Sequence, residues 1–235
     1  MRLEHTETTK NRAEARGSFA PVLALQAGLF VAAPFLTYTR VGPTVLNAFS
    51  CLMLALAVRA ASGRTALTRR YAIAALVFAI LREVVSRTGA TGLSGPATVL
   101  FVALIATACF VVLRAVLRAR RADGDEILAA VCSYLLLGMM WATAYAFFDW
   151  LDLDPPAFSR DLVSRGIPGS FERETFGALL YFSYITLTTV GYGDIVPTHS
   201  ITRNLAAFEA LTGQIYIAVL LARLVALHTM KSNEE

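Results

Sequence analysis

The residues whose types and spacing could do chemistry stand together in one run, Thr188-Thr189-Val190-Gly191-Tyr192-Gly193-Asp194. Its chemistry would be that of the backbone. Stripping water from a cation requires closely spaced oxygens to replace the hydration shell, and backbone carbonyls can supply them. Pointing successive carbonyls the same way needs unusual backbone conformations, and Gly191 and Gly193 reach positive φ without steric cost. Thr189 adds a hydroxyl as an inner ligand. The side chains of Val190 and Tyr192 are expected to point away from the ion and pack behind the strand, holding the aperture.

Such a run must be carried to membrane depth and back. Residues 175–188 are apolar and aromatic yet too short to span a bilayer. Re-entrant backbone is tolerated there only when buried in protein or lining a watery cavity, so a short helix that dips in and returns is expected. Its carboxyl end, with partial negative charge, would face the central cavity. Six apolar runs surround it, at residues 22–38, 44–58, 71–85, 97–113, 127–148 and 205–227. The last two are long enough for a hydrocarbon core of about 30 Å at about 1.5 Å per residue. The third is short and ends in Arg82 and Glu83, whose Arg can reach the interface by extending its stem.

Charge fixes an orientation independently of the motif. Lys10, Arg12 and Arg16 precede the first run. Arg59, Arg64, Arg69 and Arg70 lie between the second and third, and Arg114, Arg118, Arg120 and Arg121 between the fourth and fifth. The alternate loops are poorer, with Arg40 in one and Arg82 and Arg87 near another. The positive-inside rule puts the richer segments and both termini in the cytoplasm, and residues 149–203 outside. The outer segment carries Asp149, Asp152, Asp154, Asp161, Glu172 and Glu174 against Arg160, Arg165 and Arg173. That negative excess would concentrate cations, an effect salt screens.

Composition narrows the function classes. The chain is 56% hydrophobic and 16% charged, against about 25% charged in a soluble domain. Its net charge of +4 sits in loops between apolar runs, which excludes a nucleic-acid partner. Cys51, Cys109 and Cys132 each lie inside an apolar run, as small hydrophobes. The N-terminus lacks the apolar core of a signal peptide and reads as a cytoplasmic tail. His5, His199 and His228 show no metal-binding spacing, and no nucleophile–base arrangement appears, so an enzyme is not expected.

The run at 188–194, with its short helix and flanking spans, resembles the signature of the potassium channel family, over residues 127–227. The resemblance implies an all-α integral membrane protein of six transmembrane helices, with a re-entrant pore helix and filter loop between the fifth and sixth. The expected parts are a tail at 1–20, a four-helix membrane domain at 21–121, a pore domain at 125–230 and a short tail at 229–235. Within the pore domain the outer helix covers 125–149, the outer loop 150–173, the pore helix 175–188, the filter 188–194 and the inner helix 203–228. K+ would bind at Thr189, Val190, Gly191 and Tyr192, with Gly193 completing the filter, and no cofactor is implied beyond the permeant ion. Thr188 and Asp194 would support the filter. Tyr181 would bond Asp194 where many relatives have Trp, with interfacial packing as its alternative.

Gly213 stands where such channels carry a flexible inner-helix glycine, so a hinge is expected, with close packing as the alternative; Gly inside a helix costs up to about 1 kcal/mol. Glu209 and Gln214 are polar residues in the same span, and an intramembrane ionisable group is a functional hypothesis by default. For Glu209 a bond to the back of the pore helix is the favoured role.

One filter segment per chain implies a homotetramer, since an axial filter of this kind uses four loops. A voltage sensor needs basic residues at three-residue spacing within the membrane field. Residues 97–113 carry no charge, and the spacings from Arg114 onward are irregular, so strong voltage gating is not expected. The expected function is passive, potassium-selective conduction across the cell membrane, the partners being K+, lipid and three further copies of the chain. The alternatives are a voltage-gated or a weakly selective cation channel. A transporter with several degenerate filter loops fits less well. Only a short stretch follows the sixth run, so a ligand-sensing domain is not expected there.

Overall fold

The structure, a computed structural model, describes residues 18–37, 42–63, 65–88, 94–118, 124–151, 153–159 and 171–232. Expectations placed on the first tail, on Arg40, Arg64, Arg120 and Arg121, on the outer loop at 160–170 and on the final residues lie outside these. Seven helices run through the described residues: α1 (Ala20–Thr37), α2 (Gly42–Ser62), α3 (Thr65–Thr88), α4 (Ser94–Arg118), α5 (Gly124–Trp150), α6 (Phe171–Leu187) and α7 (Ser200–Ser232). No strand forms among them; the one isolated bridge joins Phe158 to Pro197.

Each helix is longer than the apolar run inside it, and α6 starts at Phe171 rather than 175. Hydropathy marks only the part of a helix suited to hydrocarbon, and helical hydrogen bonding continues into the flanking polar residues. Among the described residues four helices are long and apolar enough to cross a membrane: Thr44–Ser62, Gly95–Arg118, Gly124–Trp150 and Ser200–Arg223. The apolar part of α1, Ala20–Ala32, is shorter, and α3 carries Arg69, Arg70, Arg82 and Glu83 along its 24 residues.

Local signals set the helix ends. Ser18 Oγ accepts from Ala20 N–H at 3.3 Å, and Asp125 Oδ1, in the first turn of α5, accepts from Phe19 N–H at 2.8 Å. The amino ends of α1 and α5 are thereby tied together. Gly63 closes α2 with φ of 58°, its N–H bonded to Arg59 O at 3.2 Å. His199 caps α7: its Nδ1 accepts from Ile201 N–H at 3.2 Å.

The main core lies where α2 and α4 pack, with Met53, Leu54, Ala57, Val58, Ile105, Ala108 and Val112 fully buried. Alanines let these backbones approach closely, as membrane helices require. Phe78 of α3 stacks on Phe101 of α4 at 4.5 Å, and Tyr71 Oη donates to Leu104 O at 2.7 Å. α4 packs on α5, and α1 bridges α5 and α6, with Phe30 against Tyr184 at 4.8 Å. A second, aromatic cluster forms where α5, α6 and α7 meet.

Candidate ion-conduction site

The turn at 188–194 begins as the end of a helix. Thr189 N–H bonds to Thr186 O at 2.9 Å, and Val190 N–H to Ile185 O at 2.8 Å. This pair of bonds is the Schellman termination, which requires a left-handed residue just past the helix and usually takes Gly there. Here the position is Thr189, with φ of 60°. A β-branched residue in that region is strained, and such strain persists only where surrounding contacts hold it. Gly191 N–H adds a bond to Ile185 O at 3.1 Å, so one carbonyl of α6 anchors the first residues of the turn.

Positive φ then recurs at every second residue: Thr189 at 60°, Gly191 at 53° and Gly193 at 77°. This alternation is the backbone state that turns successive carbonyls the same way. The two glycines adopt it freely; Thr189 carries no such signal, because threonine has no preference for it. All seven residues from Thr188 to Asp194 are exposed within the chain. Val190 is 52% and Tyr192 73% exposed, so the described residues leave the side chains of the turn largely uncovered. The expectation that their side chains hold the aperture therefore requires a surface from elsewhere.

Three helices hold α6. On the α5 side, Tyr184 Oη donates to Leu135 O at 2.8 Å, Ser183 Oγ lies 2.7 Å from Gly138 O, and Tyr134 Oη donates to Leu187 O at 3.1 Å. A Cβ at Gly138 would overlap the Tyr184 ring, so the glycine is the seat of that ring. On the α7 side, Gly213 sits against the carboxyl end of α6, where a Cβ would overlap Leu187 O. The close-packing alternative for Gly213 thus has a direct geometric basis. Glu209, fully buried, accepts from Tyr145 Oη of α5 at 2.7 Å and lies 2.5 Å from Ser183 Oγ of α6. Gln214 Nε2 reaches Thr189 Oγ1 at 3.4 Å.

At the outer end, Tyr181 Oη donates to Asp194 Oδ2 at 2.9 Å, which brings together the two residues singled out as a pair. Thr188 Oγ1 turns back to Tyr184 O at 2.6 Å. The chain after the turn is pinned to the segment after α5: Ser159 N–H bonds to Val196 O at 3.0 Å, and Thr198 N–H to Ala157 O at 3.1 Å. Phe158 closes the aromatic cluster from outside, with ring centroids 5.4 Å from Tyr145 and 5.1 Å from Phe182. Tyr134, Gly138, Tyr145, Phe158, Ser183 and Tyr184 were not singled out from sequence. For the three tyrosines and Ser183 the signal was chemical: a hydroxyl in an apolar run must find an acceptor; Gly138 and Phe158 carry no such signal.

Residues 133–229 match the family model described as Ion channel. The chain is 41% identical over 63 residues to two-pore potassium channel 4 of Arabidopsis thaliana, a match covering 27% of this chain and 22% of that protein. It is 48% identical over 44 residues to two-pore potassium channel 1 of the same organism, covering 19% and 12%. The matches therefore span about a fifth or less of those relatives' lengths. No solved structure matches. The helical pair, the intervening short helix and the turn all lie inside the matched region, and over residues 133–229 the chain is similar to ion channel domains, with potassium channels among its relatives.

Proposed function

We propose that the chain is one subunit of a homotetrameric, potassium-selective channel, with Thr189, Val190, Gly191, Tyr192 and Gly193 as its filter. The observation that carries the reading is the alternation of positive φ at Thr189, Gly191 and Gly193 on a turn that leaves the carboxyl end of a short, apolar helix. Carbonyls in such a turn, repeated around an axis, replace the water shell of K+. The turn and α7 offer surfaces that one chain leaves bare: Tyr192, Phe208, Leu211 and Ile215 are each 59% or more exposed. Three neighbouring copies would cover the α7 face and supply what packs behind Val190 and Tyr192.

In this reading α1 and α3 join the other four long apolar helices, α2, α4, α5 and α7, as spans, giving six per subunit with both termini cytoplasmic in a cell membrane. The charges of α3 then lie near its ends, where long side chains reach the interface. Arg114 and Arg118 stand at the cytoplasmic end of α4, the former guanidinium 6.0 Å from the Phe110 ring, and conductance should vary only weakly with voltage. Gly213 gives α7 a close seat on α6 and a place to bend.

Purified protein in planar bilayers tests the reading. Unitary current steps are expected, with a zero-current potential in mixed K+ and Na+ that follows the K+ gradient. Absence of steps would reject conduction. Steps with a potential indifferent to which cation is graded would favour the weakly selective alternative.

A further inference from the structure

Behind the turn lies a hydrogen-bond arrangement whose protons can be counted. Glu209 Oε2 receives the Tyr145 hydroxyl at 2.7 Å. Glu209 Oε1 lies 2.5 Å from Ser183 Oγ, and Ser183 Oγ lies 2.7 Å from Gly138 O. A serine hydroxyl carries one proton, and a carbonyl oxygen has none to give. The contact with Gly138 O therefore uses the Ser183 proton. The contact with Glu209 Oε1 then needs a proton from the carboxyl itself. An ionised Glu209 leaves two protons for these three contacts; a neutral carboxylic acid supplies all three.

The surroundings favour the same answer. Glu209 is 0% exposed, and among the described residues no basic side chain forms an ion pair with it. From α5 the titratable groups facing it are Tyr145 and Tyr134. From α6 it meets the Ser183 hydroxyl, and on its own helix Thr212 Oγ1 donates to its backbone oxygen at 2.7 Å. None of these offers a positive charge, and an uncompensated charge in such a place is strongly unfavourable.

We propose that Glu209 is held as a neutral carboxylic acid and is the donor that fixes α6 against α5 and α7, a positioning residue for the turn that α6 carries. The consequence for conduction rests on the filter reading above; the protonation itself does not. Neutrality also fits the place. A fixed negative charge behind the turn would act on any cation passing it, whereas a neutral donor fixes the helix and leaves the carbonyls to set the field.

Infrared spectra of the full-length protein in lipid read the proton directly. At neutral pH the carbonyl stretch of a protonated carboxylic acid is expected, and it should vanish in Glu209→Gln. If that variant does not fold, Ser183→Ala should shift the same band by removing the acceptor. Glutamine can donate to Ser183 and accept from Tyr145, so E209Q should keep the K+ over Na+ permeability ratio within about twofold of wild type. Glu209→Leu should lower it by about tenfold, having neither group. No protonated-acid band at neutral pH, or a band indifferent to both substitutions, would overturn the proposal. So would a permeability ratio that falls in E209Q as far as in Glu209→Leu. A band that E209Q removes, in a protein passing no K+, would uphold the proton and reject the channel reading.

Discussion

Met53, Leu54 and Ala57 of α2 meet Ile105, Ala108 and Val112 of α4 through apolar surface alone, whereas α6 meets α5 and α7 through a chain of hydroxyls. In the first region small and branched side chains interdigitate, and the energy is spread over many weak contacts. In the second, Tyr134, Tyr145, Ser183 and Tyr184 each direct one donor at one oxygen. Spread contacts tolerate small shifts; directed ones fix position. The first region is built to be present, and the second is built to be exact about where one short helix ends.

The two regions also differ in completeness. The apolar window of α5 is 56% buried within one chain, but that of α7 only 11%. The four-helix unit finds its partners in its own chain and in α5. α7 meets α5 and α6 along one side and leaves most of its apolar length bare.

Substitutions can break this contrast. Met53→Ala empties a fully buried site and should destabilise the folded protein by about 2–5 kcal/mol. Thermal unfolding in detergent checks that loss, while the K+ over Na+ permeability ratio stays at the wild-type value; a shifted ratio would mean that the four-helix unit also sets the filter. Gly213→Ala should cost less stability, about 1–3 kcal/mol for overpacking against the Leu187 carbonyl, yet lower the permeability ratio measured from reversal potentials. An unchanged ratio with altered open probability would make Gly213 a hinge and not a seat. Tyr181→Phe has the smallest effect on stability, because the residue is exposed. It should leave the unfolding temperature alone and change the decay of current under sustained opening, since Asp194 loses its donor at 2.9 Å.

What was legible in the residues follows from what periodicity and composition encode. Apolar runs located the helices but not their ends, because helices continue into polar residues such as Arg69, Arg70 and Arg114. Gly191 and Gly193 announced positive φ, because glycine alone is indifferent to handedness. Thr189 did not, since its backbone is forced by a helix termination that depends on Thr186 and Ile185. Tyr181 and Asp194 lie on one short excursion of chain, and their pairing could be expected. Tyr145 and Glu209 are 64 positions apart, and only the packing of α5 on α7 brings them together. A pattern shows that a polar side chain needs a partner, but long-range partners are a property of the assembled fold.

Thr189 belongs to two elements at once. It is the residue that ends α6 and the residue that begins the alternating turn, so the turn has no angular freedom of its own. Its heading is inherited from the rotational phase of the helix. Adding or removing one residue anywhere in α6 would swing the exit by about 100°, a quarter of a circle and more. A chain built this way keeps the length of its shortest helix as strictly as a clock keeps the teeth of its smallest gear.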